Sequence, residues 1–317
     1  MKHFIVVALL AVAGIVATRT CLAKDGETPT VYPTAILPFA ERGDEATGLG
    51  AKVTDVLFGL LVENPALYLV DRTDLAKALD EQELSLSGLV KPGEAVEVGK
   101  LTGAKILITG SVIELDRKLY IVAKIIGSET SRVVGTKVKG KSSDDLSELV
   151  EKLAINVQKT IKERTKDLIP KPTEKKDRIT ALKKALGDAK RPSVWIQVTE
   201  RHVGQQTIDP AAETEIMLLC QETGFEIIDS KQGSKKQADV IIEGEAFSEF
   251  ATRRDDIVCV KARVEIKLVD RASGKVIATD RQTEVAIDLA EQIAGKSALQ
   301  NAAATIAERL LPKLVTK

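Results

Sequence analysis

The sequence is poor in the residues that most often carry chemistry. Its 317 residues include two histidines and three cysteines, which leaves little for an ordinary structural zinc site. Aromatics make up 3%, with one Trp, three Tyr and six Phe. That is thin material for the interfacial girdles of a membrane barrel or for base-stacking platforms. Charge of one sign is also missing: 46 Lys plus Arg face 46 Asp plus Glu. The balance gives no general attraction to nucleic acid or anionic membrane, although a local patch stays open. With 21 Gly and 10 Pro, the chain is neither collagen-like nor of low complexity.

Catalytic signatures are missing too. No serine sits in a Gly-x-Ser-x-Gly turn, and no Gly-x-Gly-x-x-Gly follows a strand. Gly43, Gly48 and Gly50 have the wrong spacing, and Glu41, Asp44 and Glu45 beside them would repel phosphate. His202 reads as a solvent-exposed residue in a polar stretch after a strand. Cys220 has apolar neighbours, which disfavours an activated thiolate. Asp71 reads as a helix cap and Asp74 as a first-turn charge. Glu249, Arg253, Arg254, Asp255 and Asp256 read as a charged hairpin tip, without the regular oxygen spacing of a calcium loop. No cofactor or metal is expected.

What is present begins at the first residue. Lys2 and His3 precede an apolar run from Phe4 to Val16, and small residues follow. This is a signal-peptide pattern over residues 1–23, too short for a good spanning helix. Cleavage after Ala23 leaves 294 residues (317 less 23), with no transmembrane segment expected in the mature chain. Cys21 is a candidate for lipidation, although Arg19 fits a lipobox poorly. An exported chain could pair its remaining cysteines, Cys220 and Cys259. Small buried apolar residues are the simpler reading of both.

The pattern along the chain is α/β. Ile36-Leu37, ended by Pro38, reads as a short strand, Leu67–Val70 and Ala104–Val112 as two more, and Leu119–Ile126 with Ser131–Val138 as a hairpin. Helical spacing runs from Leu49 to Leu61, and again from Leu146 to Ile161. Lys159 to Arg191 then holds 12 basic and 5 acidic residues with Pro170 and Pro172, so 166–190 is expected to be a basic linker. The second half opens with a strand at Ser193–Val198 and a helix from Pro210 to Cys220. Asp256–Val269 alternates with one parity apolar, as in a half-buried antiparallel strand. Lys275–Thr283 returns as a strand, and Lys296–Leu314 is an alanine-rich helix.

The order repeats. Leu69-Val70-Asp71 matches Ile227-Ile228-Asp229 at an offset of 158 residues, and Gly103–Gly110 matches Gln237–Gly244 at 134. The offset shrinks because the first copy holds an extra segment around Leu84 to Gly99. The expectation is two similar three-layer-like α/β (α+β) domains, with mixed sheets flanked by helices. They span 24–165 and 191–317.

The first copy resembles the curli production assembly/transport family, the CsgG-like proteins, over about residues 31–160. The carrying residues are Ala35–Phe39, Gly48–Gly50, Leu69–Arg72, Leu75, Asp80–Leu84, Ser87-Gly88 and Gly103–Val112. The second copy looks like a remote version of the same unit. The resemblance implies a non-enzymatic periplasmic scaffold or accessory protein for envelope assembly or secretion. It implies envelope-protein partners and self-association into an oligomer; no nucleic-acid partner is expected, since no aromatic residue interleaves with the lysines of the basic segment. Arg72, Glu81, Gln82, Ser87 and Gly88 are its candidate interaction residues. An outer-membrane lipoprotein forming a ring or pore is one alternative, and a periplasmic ligand-binding protein or hydrolase is another. Lys118 to Lys139 is the stretch that could be offered as a membrane hairpin. Gly127 interrupts it, and Lys124, Arg132, Lys137 and Lys139 charge it.

Overall fold

A computed structural model describes residues 31–315, apart from 44–45, 82–91, 172, 203–204, 207–209 and 255. Residues 31–317 form one compact unit. The signal-peptide pattern, Cys21, Gln82, Ser87 and Gly88 lie outside the described residues.

The first half runs β1 (Tyr32–Arg42), α1 (Leu49–Val62), β2 (Leu67–Leu69), α2 (Arg72–Glu81), α3 (Pro92–Thr102), β3 (Ile106–Leu115), β4 (Lys118–Gly127), β5 (Val133–Lys141) and α4 (Leu146–Leu168). Its sheet has the order β2-β1-β3-β4-β5. The first three strands are parallel and the last two antiparallel. The second half follows α5 (Lys175–Leu186) with β6 (Val194–His202), β7 (Gln205–Gln206), α6 (Ala211–Glu222), β8 (Ile227–Ile228), β9 (Val240–Arg254), β10 (Ile257–Asp270), β11 (Val276–Asp288) and α7 (Glu291–Leu310). Here β8 and β9 flank β6 in parallel, and β10 and β11 continue antiparallel. Apart from the two-residue β7, the second sheet repeats the topology of the first.

The repeat holds residue by residue. Thr34 pairs with Leu69 and Ile106, and Val194 pairs with Ile227 and Val240. Gly110 and Gly244 occupy one position in the two copies. A Cβ there would lie 2.0 Å from the carbonyl oxygen of Val122 or of Glu265, so the close strand approach admits only glycine.

Three cores result. Leu57, Leu61, Ile106, Ile121, Leu153 and Val157 fill the space between the first sheet, α1 and α4. Leu37, Leu75, Leu79, Val98 and Leu107 pack the opposite face against α2 and α3. Ile196, Ala262, Val264, Leu219 and Ala302 build the second core between its sheet, α6 and α7. The expected alternation in β10 is met: Val258, Val260, Ala262, Val264, Ile266 and Leu268 are all buried.

The basic segment is more than a tether. Leu182 and Leu186 of α5 are buried in the second core, and Lys175 pairs with Glu215 at 2.9 Å. Its lysines face solvent while an apolar stripe docks, and Arg178 turns inward to Glu308 of α7 at 3.3 Å. The disulfide considered for Cys220 and Cys259 is not formed. Cys220 lies in the core beneath the sheet, with the even-numbered residues of β10. Cys259 has odd parity on that strand and so points to the other face.

Candidate functional site

Of the residues singled out in sequence, Arg72 opens α2 and Glu81 closes it. Asp71 caps this helix, accepting from the Thr73 amide at 2.7 Å. Asp229, at the matching position of the second copy, accepts from the Lys231 and Gln232 amides, but there it closes a turn rather than a helix. Arg72 stands at the helix start, half exposed, and its Nη1 lies 2.5 Å from Asp55 on α1. Its guanidinium sits 4.9 Å from the centre of the Phe58 ring. Arg72 and Asp55 also line a groove of about 230 Å³ between α1 and α2. Ile36, Pro38, Ala51, Leu75, Ala76 and Leu79 line it. That volume is below the roughly 300–1,000 Å³ of small-molecule pockets. It suits an apolar side chain presented by a partner.

The glutamates that shape the strand-to-helix turns were not legible in sequence. Glu41 accepts from the Gly48 and Gly50 amides at 3.0 and 2.8 Å. Glu200, at the corresponding place after β6, accepts from the Ala211 and Glu213 amides at 2.7 and 2.9 Å. Each carboxylate satisfies orphan donors at the start of the first helix of its copy. Glu200 is buried. Burial raises its pKa, against the lowering by the Glu213 and Ala211 amides.

The two copies meet through α2 and α3. Gly103 ends α3 with φ +76, and a Cβ on it would come within 3.2 Å of Val285 and 3.3 Å of Thr283 in β11. Lys105 bridges Glu129 and, at 2.8 Å, Glu284 of β11. Burial lowers the Lys105 pKa, but the Glu284 and Glu129 carboxylates outweigh it, and the net shift is upward. Lys261 of β10 reaches Asp74 of α2 at 2.5 Å and Glu249 at 2.9 Å. Beside this contact a polar cleft of about 880 Å³ opens between α3 and the outer face of the second sheet. Its charges are largely matched among themselves: Glu97 with Lys100, Glu243 with Lys267, and Glu265 with Arg263.

His202 is not the exposed residue expected from sequence. Its side chain is 21% exposed, with Nε2 3.8 Å from Glu291 and Nδ1 2.8 Å from the Ser248 hydroxyl. The start of α7 covers it, where Gly295 leaves room for both side chains. The order Ser-His-Glu is that of a hydrolase triad, but Ser248 is 2% exposed and packs under α7. A nucleophile must be reached by substrate; this group fastens β6 and β9 to α7. Burial pushes the Cys220 thiol up to about 12, which makes it inert. Among the described residues no three His, Cys, Asp or Glu side chains cluster as metal ligands, and no helix is long and apolar enough to cross a membrane.

The architecture is that of a duplicated α/β unit whose exposed features are grooves and charged sheet faces. Residues 34–165 match the family of the curli production assembly/transport component CsgG, which bears out the resemblance read from the first half. Residues 202–311 match the C-terminal domain of TP0693-like lipoproteins. No curated protein matches the chain. Among solved structures, the LpoB C-terminal domain from Salmonella enterica is 17% identical, with a TM-score of 0.32, covering 37% of this chain and 87% of that one. A lipoprotein from Neisseria meningitidis is 13% identical, with a TM-score of 0.29 and coverages of 41% and 96%. The PelC dodecamer from Paraburkholderia phytofirmans is 14% identical, with a TM-score of 0.26 and coverages of 40% and 84%. Scores and identities this low say nothing about partner or role.

Proposed function

We propose that the protein is an exported, non-enzymatic accessory factor of the cell envelope that works by holding other proteins. The observation that carries this reading is the pair of family matches, one to a curli assembly/transport component and one to a lipoprotein domain. The fold adds a place for the contact, the apolar groove between α1 and α2 that the Arg72–Asp55 pair helps to line. In this reading 24–165 and 191–317 act as two domains of one scaffold, and the groove receives an apolar anchor from an envelope protein. A photo-cross-linker at Ala76, in the groove and exposed, tests it. The expected product is a covalent adduct with a protein of the envelope fraction, lost when Arg72→Glu is added. Recovery of the chain with the cytosol, or an adduct indifferent to Arg72→Glu, would sink the proposal.

The lipoprotein match favours a second reading for the N-terminus, in which Cys21 carries lipid. Palmitate labelling of the wild type and of Cys21→Ala separates an anchored chain from a cleaved, unanchored one.

A further inference from the structure

One face of the first sheet has cations and no carboxylates. β3, β4 and β5 pair without a bulge, so their outward residues stand in straight cross-strand rows. The rows are Leu115–Lys118–Lys141, Ile113–Tyr120–Lys139, Ser111–Val122–Lys137 and Thr109–Lys124–Gly135. Lys118, Lys124, Lys137, Lys139 and Lys141 are all exposed. Along β5 three of them recur at every second residue, about 7 Å apart. Among the described residues none of these five forms an ion pair, and neither β4 nor β5 contains an acidic residue.

The second copy is a control within the same molecule. Its register places Lys261 where the first copy has Lys118, and Lys267 where it has Lys124. Both are neutralised there, by Glu249 and Asp74 and by Glu243. The strand facing them differs: Glu243, Glu245 and Glu249 in β9 stand where β3 has Thr109, Ser111 and Leu115. The fold therefore accepts an internally paired version of this face. The first copy keeps the lysines without their partners.

We infer that this face docks onto a bilayer surface bearing anionic phospholipid headgroups, a role separate from the protein-binding groove. Three features favour a lipid surface over a discrete ligand. The lysines are flexible point charges rather than the planar forks that grip single phosphates. They spread over an unbulged ladder rather than converging. Leu115, in the same face and 58% exposed, gives it an apolar element that can enter the headgroup region. Polybasic surfaces bind anionic leaflets with an energy that adds up lysine by lysine.

The test is co-sedimentation of the full chain with vesicles of phosphatidylcholine plus phosphatidylglycerol, and with vesicles of phosphatidylcholine alone. The apolar stretch near the N-terminus would act on both alike, so the difference reports charge. One variant combines Lys118→Gln, Lys124→Gln, Lys137→Gln and Lys139→Gln. A control removes the same charge from exposed lysines of the basic segment, with Lys176→Gln, Lys183→Gln, Lys184→Gln and Lys190→Gln. The wild type and the control should favour the anionic vesicles, with the binding lost at high salt. The face variant should lose on the order of a thousandfold in partitioning with an unchanged far-UV spectrum. Equal binding to both vesicles, or an equal loss in the control, would overturn the inference. So would retention on an acidic polysaccharide such as alginate without sedimentation, which would assign the face to a polymer.

Discussion

The junction between the two copies can be tested at Lys105 and Glu284. The Glu284 carboxylate is 8% exposed and accepts from Lys105 at 2.8 Å. Replacing Lys105 with Met leaves that carboxylate buried beside β11 without its cation. Breaking a buried pair from one side costs about 3–5 kcal/mol, because the surviving charge keeps its desolvation penalty. Glu129 also holds Lys105, but its side chain is 42% exposed and returns to water when the lysine is gone. The expected loss therefore sits at the lower end, about 3 kcal/mol. For a unit of this size that is roughly a 5 °C fall in Tm. Combining Lys105→Met with Glu284→Gln removes both charges and should recover most of the loss. A double-mutant cycle in urea gives the coupling directly. The lysine's pKa is raised in the folded state, so its contribution is complete below its ordinary value of about 10.4 and fades only as pH rises through the raised one. The lysine's part of the effect should thus be the same at pH 6 as at pH 9. A single-mutant cost under about 1 kcal/mol, or a double mutant no better than the single, would show that the pair is not what joins the copies.

Further outcomes follow from single sites. Burial raises the Glu200 pKa, so the stability it contributes is greatest below its ordinary value of about 4.3 and declines as pH rises through the raised folded value. The cost of Glu200→Gln, measured by urea melts, should therefore shrink between pH 4 and pH 7; a cost that grows over that interval would refute the assignment. The β3–β4 turn places Asp116 and Arg117 at φ 51 and 57, the left-handed pair that Asn-Gly prefers. Asp116→Asn with Arg117→Gly should raise stability by about 1 kcal/mol, and no gain in Tm would count against strain there. Cys220, with its thiol pushed up to about 12, should resist iodoacetamide in the folded protein and react only in denaturant, as read by mass spectrometry.

Patterns that depend on local periodicity were legible in the sequence. The parity of β10 and the two offsets of the repeat were there to be read, and the strand registers reproduce both. What stayed hidden depends on partners distant in the chain. Glu41 looked like one more polar residue before a glycine-rich loop. Only the fold shows that it and Glu200 reach forward to cap a helix. His202 looked exposed because its cover, the start of α7, lies about ninety residues downstream. That start was itself missed, since Glu291 to Gly295 carry no apolar stripe and Gly295 lowers helix propensity. The residues that line a groove with Arg72, Ala51 and Asp55, come from another helix, and no local pattern ties them to it.

The contraction of the repeat offset from 158 to 134 also explains how two units become one body. The segment that the first copy gains between β2 and β3 includes α2 and α3. Its inner side packs on the first sheet through Leu75, Leu79 and Val98. Its outer side meets the second sheet through Asp74 and Gly103, and Lys105 just beyond α3 joins the contact. The second copy has only a short connection between β8 and β9, so its outer face depends on the layer supplied by the first. A face that must accept a partially covering layer needs its charges matched, and Glu243, Glu249 and Glu265 do this for Lys267, Lys261 and Arg263. The lysine face of the first sheet lies beyond the reach of α2 and α3, and no packing demand neutralises it. The anionic bilayer inferred above would supply the charge that the described residues do not place beside these five lysines.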